Sequence, residues 1–163
     1  MYWFFASIAI CGLFLLSQFF SIPLVKISFT LYVIASVVGV IGIMQAFSVR
    51  VVSYEVETPT QYTELKGKRF ALVADTHFGP VNQEMFARYV VKKIIEVNPD
   101  AVLFAGDLFD GADFDKSGVE KEFKILTDTV PVFFTPGNHE EYGPFTEFVA
   151  SAKRAGMTVL IDE

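Results

Sequence analysis

This sequence predicts an α/β architecture behind an apolar N-terminal anchor. Three observations carry that expectation: an N-terminal third with only two charged side chains, three short apolar runs that each end in polar residues, and helical periodicity between those runs. Charge separates the parts. Of 13 Lys and Arg and 19 Asp and Glu, only Lys26 and Arg50 fall in the first 50 residues. Residues 51–163 therefore hold 11 basic and 19 acidic side chains, a net charge of −8. Such a surface repels polyanions, and no basic run exceeds two residues, so no nucleic-acid-binding face is expected. Cys11, the single cysteine, has no intrachain partner and reads as a small apolar side chain in a helix.

Residues 1–25 and 27–49 carry no charge, and each run exceeds the roughly 20 residues that cross a bilayer as a helix. Between them Pro23 interrupts the helix and Lys26 prefers water. The expectation is a transmembrane helical hairpin over residues 1–50, with spans at about 3–22 and 27–49 and a tight turn between. Tyr2 and Trp3 suit an interfacial position, and Ala35, Ser36, Gly39 and Gly42 form a small-residue stripe for close helix packing. A cleaved signal peptide would have a basic start, which Met1-Tyr2-Trp3-Phe4-Phe5 lacks. One long span with a flanking interfacial stretch is the alternative. Counting Arg50, Lys66, Lys68 and Arg69 against Lys26 favours a cytoplasmic domain, but three of those four belong to the folded part, so the side is left open.

Residues 51–68 read as a linker containing a strand, with β-prone Val51-Val52-Ser53-Tyr54-Glu55-Val56-Glu57 followed by turn signals. The domain proper spans 69–163. Phe70-Ala71-Leu72-Val73-Ala74 runs into Asp75-Thr76-His77, Ala101-Val102-Leu103-Phe104-Ala105 into Gly106-Asp107, and Val132-Phe133-Phe134 into Gly137-Asn138-His139. Continuous apolar runs of this length suit parallel strands buried on both faces. Residues 82–97 carry Phe86, Tyr89, Val90, Ile94 and Val97 at helical spacing and stop at Asn98-Pro99-Asp100. Helices at 118–127 and 145–155 and a strand at 157–161 complete a β-α-β-α-β-α-β order.

In open α/β sheets ligands bind beyond the carboxyl ends of the strands, where all three polar clusters are delivered. Asp75, Asp107 and Asp110 gathered there would repel one another, and no Lys or Arg accompanies them within their motifs. A bound cation is the natural compensation. Mixed carboxylate, imidazole and amide donors suit manganese, iron or zinc. Two such ions roughly 3.5–4 Å apart can activate a hydroxide and stabilise attacking and leaving oxygens in an in-line phosphoryl displacement. Taken singly, an Asp at a strand end is often a cap, and Asn-His after Pro-Gly is often a turn.

Asp75-x-His77, Gly106-Asp107-x-x-Asp110 and Gly137-Asn138-His139-Glu140, with 28 and 26 residues between them, resemble the calcineurin-like metallophosphoesterase family over residues 69–163. The likeness is greatest to membrane-tethered bacterial members. It implies the first part of an αββα sandwich with parallel strands, preceded here by two N-terminal transmembrane helices. The implied activity is metal-dependent hydrolysis of a phosphodiester or phosphomonoester on two divalent ions. Asp75 and His77 would hold the first metal, Asp107 would bridge, and Asn138 would bind the second. His139 would act as general acid or stabilise the transferring phosphoryl group, oriented by Asp110, and Glu140 would be structural. The family also supplies later metal-binding histidines, typically in a Gly-His-x-His motif, and packs a second sheet on the first. His77 and His139 are the only histidines in this sequence, so it reads as the first part of a longer protein, lacking ligands for the second metal. Implied partners are a membrane, bacterial by this resemblance, and a phosphoester substrate of lipid or envelope origin. A catalytically inactive scaffold on the same fold is the competing expectation.

Overall fold

The computed structural model describes residues 1–46, 48–81, 83–110 and 114–161. The chain divides into two compact units, Met1–Arg50 and Val51–Glu163.

In the first unit α1 spans Tyr2–Ser17 and α2 spans Leu24–Ala46. At 1.5 Å per residue, the 16 residues of α1 reach about 24 Å, short of a bilayer's roughly 30 Å core, whereas Leu24–Gln45 is long and apolar enough to cross one. The first expected span, 3–22, is therefore shorter than its composition suggested, because residues 18–20 form turns. The second starts earlier than 27. Ile27 N–H donates to the Pro23 carbonyl at 3.2 Å, so Pro23 opens the helix instead of interrupting it, and Lys26 sits in its first turn. Position 47 lies outside the described residues. The helices pack through polar contacts: Trp3 Nε1 donates to Ser36 Oγ at 3.1 Å, Ser7 Oγ and Tyr32 OH share a hydrogen bond of 2.9 Å, and the Tyr2 ring lies against Gly39 and Gly42.

In the second unit the expected strand at 51–57 does not form. These residues have no ladder partner, and Val51, Val52, Tyr54 and Val56 are exposed. Propensity alone does not make a strand, since its hydrogen bonds must go to a neighbour. A single 3₁₀ turn at Thr63–Leu65 precedes β1, Phe70–Val73. There follow α3 at Glu84–Val97, β2 at Ala101–Ala105, α4 at Ser117–Thr127 and β3 at Val132–Thr135. A short helix α5 at Asn138–Tyr142, then α6 at Phe145–Arg154 and β4 at Thr158–Val159, complete the unit. The helix α5 interrupts the simple alternation expected. The start of the helix expected at 82 falls on a position outside the described residues. Asn98, in the left-handed region at φ 51°, ends α3 as a C-cap.

The four strands are parallel in the order β1-β2-β3-β4, with Leu72 beside Leu103 and Leu103 beside Phe133. When neighbours in sequence are neighbours in space, right-handed crossovers put every helix on one face. Burial alternates accordingly. Val102, Phe104, Val132 and Phe134 are buried beneath the helices, whereas Phe70, Leu72 and Leu103 on the other face are exposed, Leu72 at 71%. The strands are thus not buried on both faces, contrary to the reading of their continuous apolar runs. In α3 the expected Val90 and Ile94 are buried together with Ala87 and Val91, while Phe86, Tyr89 and Val97 at the edge of the stripe are half-buried. The core gathers aromatic rings, with Phe123 edge-on to Phe78 and Phe104 at 5.4 and 5.3 Å and Phe109 stacked on Phe148 at 4.8 Å. Arg154 fastens α6 to α4 by donating to Glu120 at 2.6 Å, and this hydrogen bond holds the Glu120 carboxyl below the ordinary glutamate range.

The one-sided sheet makes a direct prediction. In the chain of residues 1–163, Phe104→Ala should cost about 3–5 kcal/mol in urea unfolding, whereas Leu72→Ser on the exposed face should cost less than about 1 kcal/mol.

Candidate metal centre

The site lies at the carboxyl ends of β1, β2 and β3, each followed by a loop whose backbone is tied to the next. The loop after β1 continues the pairing without regular strand geometry. Asp75 N–H donates to the Gly106 carbonyl at 3.3 Å, His77 N–H to the Asp107 carbonyl at 3.0 Å and Phe78 N–H to the Leu108 carbonyl at 2.8 Å, while Asp110 N–H returns to Phe78 at 2.9 Å. Phe78 and Phe109, both buried, anchor these two loops in the core directly behind the polar residues.

Glu140 joins the second loop to the third. It is fully buried, and its carboxylate accepts the backbone N–H groups of Phe109 at 2.7 Å, Asp107 at 3.0 Å and Gly137 at 2.7 Å. The Gly137 bond is half of a capping box that opens α5. Asp107 answers from the other side, its Oδ1 accepting the His139 N–H at 3.0 Å. This close approach is why residue 137 is glycine: a Cβ there would press on the Asp107 carboxylate and lie 2.6 Å from its backbone nitrogen. Gly79 serves Asp110 likewise, since a Cβ at 79 would fall 2.8 Å from Asp110 Cβ.

His77, Asp107 and His139 offer ligand atoms that all lie within 4.8 Å of one another, and all three are half-buried. The two imidazoles meet edge to face at 4.4 Å. Asp110 Oδ1 stands 3.9 Å from His77 Nδ1 and 4.0 Å from His139 Nδ1, facing both histidines at more than hydrogen-bond length. His77 Nδ1 is buried with no hydrogen-bond partner. An imidazole nitrogen left unpaired beside two carboxylates suits a cation in that space, so this donor set fits a divalent metal. Asp75, exposed after β1, is outside this close group, and Asn138 is the exposed first residue of α5. His139, expected as an acid more than a ligand, is within the group.

Four non-glycine residues adopt positive φ among the described residues, and three are in these motifs: Asp75 at 54°, His77 at 47° and Asp107 at 51°. Each such conformation costs on the order of 1 kcal/mol or more, a strain that collects at functional sites and has no signature in residue spacing.

The family profile described as calcineurin-like phosphoesterase matches residues 68–158. An uncharacterised metallophosphoesterase of Helicobacter pylori is 31% identical over 114 residues, covering 66% of this chain and 29% of the relative. A zebrafish (Danio rerio) transmembrane protein with a metallophosphoesterase domain is 28% identical, covering 68% and 25%. An uncharacterised metallophosphoesterase of Aquifex aeolicus is 27% identical, covering 80% and 49%. The chain thus spans a quarter to a half of the length of these relatives.

Two substitutions separate structure from site. Glu140→Ala strands one buried and two part-buried N–H groups and should lower stability by about 3–5 kcal/mol in urea unfolding. Asp75→Gly removes left-handed strain and should raise stability by about 0.5–1 kcal/mol while weakening metal affinity, read by calorimetric titration with Mn²⁺.

Proposed function

Because the chain belongs to the calcineurin-like phosphoesterase family, we propose that it is a membrane-anchored hydrolase of phosphoesters working on two divalent ions, manganese, iron or zinc. The observation that carries this reading is the close group of His77, Asp107 and His139 around an unpartnered His77 nitrogen. Asp75 and His77 would hold the first ion, Asp107 would bridge, and Asn138 would hold the second. Ions bound there would supply the charge that activates a water and offsets the phosphoryl oxygens.

The chain's own groups do the rest. Asp107 is held by the His139 backbone N–H, so its carboxylate keeps a fixed direction into the site. The His139 imidazole delivers a proton to the leaving oxygen, and Asp110, whose Oδ1 stands 4.0 Å from its Nδ1, is placed to orient it. Glu140, turned away into the core, holds the loops in register. The exposed face of the four-stranded sheet suits the second layer of an αββα sandwich.

Membrane attachment rests on Leu24–Gln45 with α1 packed against it as a helical hairpin. A catalytic unit tethered there is well placed for phosphoesters of lipid or envelope origin, and a bacterial cell membrane fits the Helicobacter and Aquifex relatives.

The test is hydrolysis of bis(4-nitrophenyl) phosphate and 4-nitrophenyl phosphate by the full-length protein with Mn²⁺. Chelation should abolish turnover, and His139→Ala should lower kcat by about 10²–10⁴-fold. Turnover unaffected by His139→Ala, or absent with every metal, would favour the alternative of an inactive binding scaffold.

A further inference from the structure

We propose that Tyr142 is a substrate-contacting residue, its ring forming a wall for the group esterified to the phosphate and selecting phosphoesters that carry a flat aromatic or heteroaromatic ring. The inference deepens the hydrolase reading and rests on it for the position of the phosphate.

The argument starts from the rotation of α5. Its hydrogen bonds run from Glu141 N–H to the Gly137 carbonyl and from Gly143 N–H to the His139 carbonyl, so its residues follow one another at about 100°. Glu140 is fully buried and fixes which side of the helix meets the core. Counting from Asn138, His139 lies at about 100°, Glu140 at about 200° and Tyr142 at about 40°. Tyr142 therefore emerges between Asn138 and His139, almost opposite Glu140, on the face that carries the site. Residues three and four apart on a helix have Cβ atoms about 5–6 Å from each other, and helical side chains lean toward the N-terminus, which here carries Asn138 and His139.

Among the described residues the ring packs against no part of the core. Tyr142 is 82% exposed, and its hydroxyl makes no hydrogen bond among the described residues. A large amphipathic ring left open beside a polar cluster is suited to contact with a ligand. Glu141, exposed on the other flank of Asn138, disfavours a second anionic group there, so the moiety that stacks on Tyr142 is not anionic. A nucleoside base and a simple aryl group share this chemistry.

The experiment uses the Mn²⁺-loaded full-length protein and two non-hydrolysable probes, phenylphosphonate and methylphosphonate, titrated by calorimetry. Wild-type protein should prefer phenylphosphonate. Tyr142→Ala should lose about three- to tenfold in affinity for it and stay within twofold for methylphosphonate, while Tyr142→Phe retains the preference. A guanosine or adenosine monophosphorothioate in place of phenylphosphonate separates nucleoside from aryl recognition, since only the former would exceed the phenyl affinity. Equal losses for both phosphonates, no loss for either, or wild-type protein that binds neither would overturn the proposal. Absence of turnover with the ring preference intact would instead defeat the hydrolase reading alone.

Discussion

Three backbone amides converging on one buried carboxylate hold this site together. Glu140 takes the N–H groups of Asp107 and Phe109 from the loop after β2 and of Gly137 from the loop after β3. Neither loop has a regular ladder to satisfy those donors, and an unpaired N–H in the core costs about as much as the bond it lacks. The same carboxylate caps the helix that presents Asn138 and His139. Asp107 and His139, 32 positions apart in sequence, are thereby fixed relative to each other before any ligand arrives.

That arrangement places acidic groups close together. Asp107 and Asp110 face the histidines while Glu140 lies directly behind them, and none of these residues is paired with a Lys or Arg among the described contacts. Elsewhere in the same unit carboxylates are neutralised by cations, as Glu120 is by Arg154 and the buried Glu122 by Arg88. The contrast is chemical: Glu120 and Glu122 receive guanidinium partners and Glu140 receives backbone N–H groups, whereas Asp107 and Asp110 at the strand ends face imidazoles, a donor set that suits a divalent metal.

Much of this was legible in the residues. The run 101–105 is β2 without adjustment, Asn98 ends α3 as its turn signal indicates, and the three polar clusters do arrive at adjacent strand ends. Other features depend on tertiary context that composition does not encode. Apolar continuity suggested strands covered on both faces, but sequential strand order leaves Leu72 and Leu103 open. Val51 to Glu57 has strand propensity without a partner, and α1 ends at Ser17, about five residues before the expected span does. The helix α5 was hidden by Pro136-Gly137, which reads as a turn, although Glu140 three residues beyond the cap was a signal for a helix start. No spacing pattern could have revealed left-handed backbone at Asp75, His77 and Asp107, because φ is set by how the loops interlock.

Left-handed backbone at those three positions also restricts how the protein can drift. Glycine, asparagine and aspartate tolerate that conformation, while valine, isoleucine and threonine are excluded by their branched Cβ whatever their chemistry. Whatever chemistry the site performs, positions 75, 77 and 107 should therefore retain a narrow, recognisable alphabet after selection on that chemistry has lapsed. Descendants with glycine or asparagine there would mark a backbone outliving its chemistry.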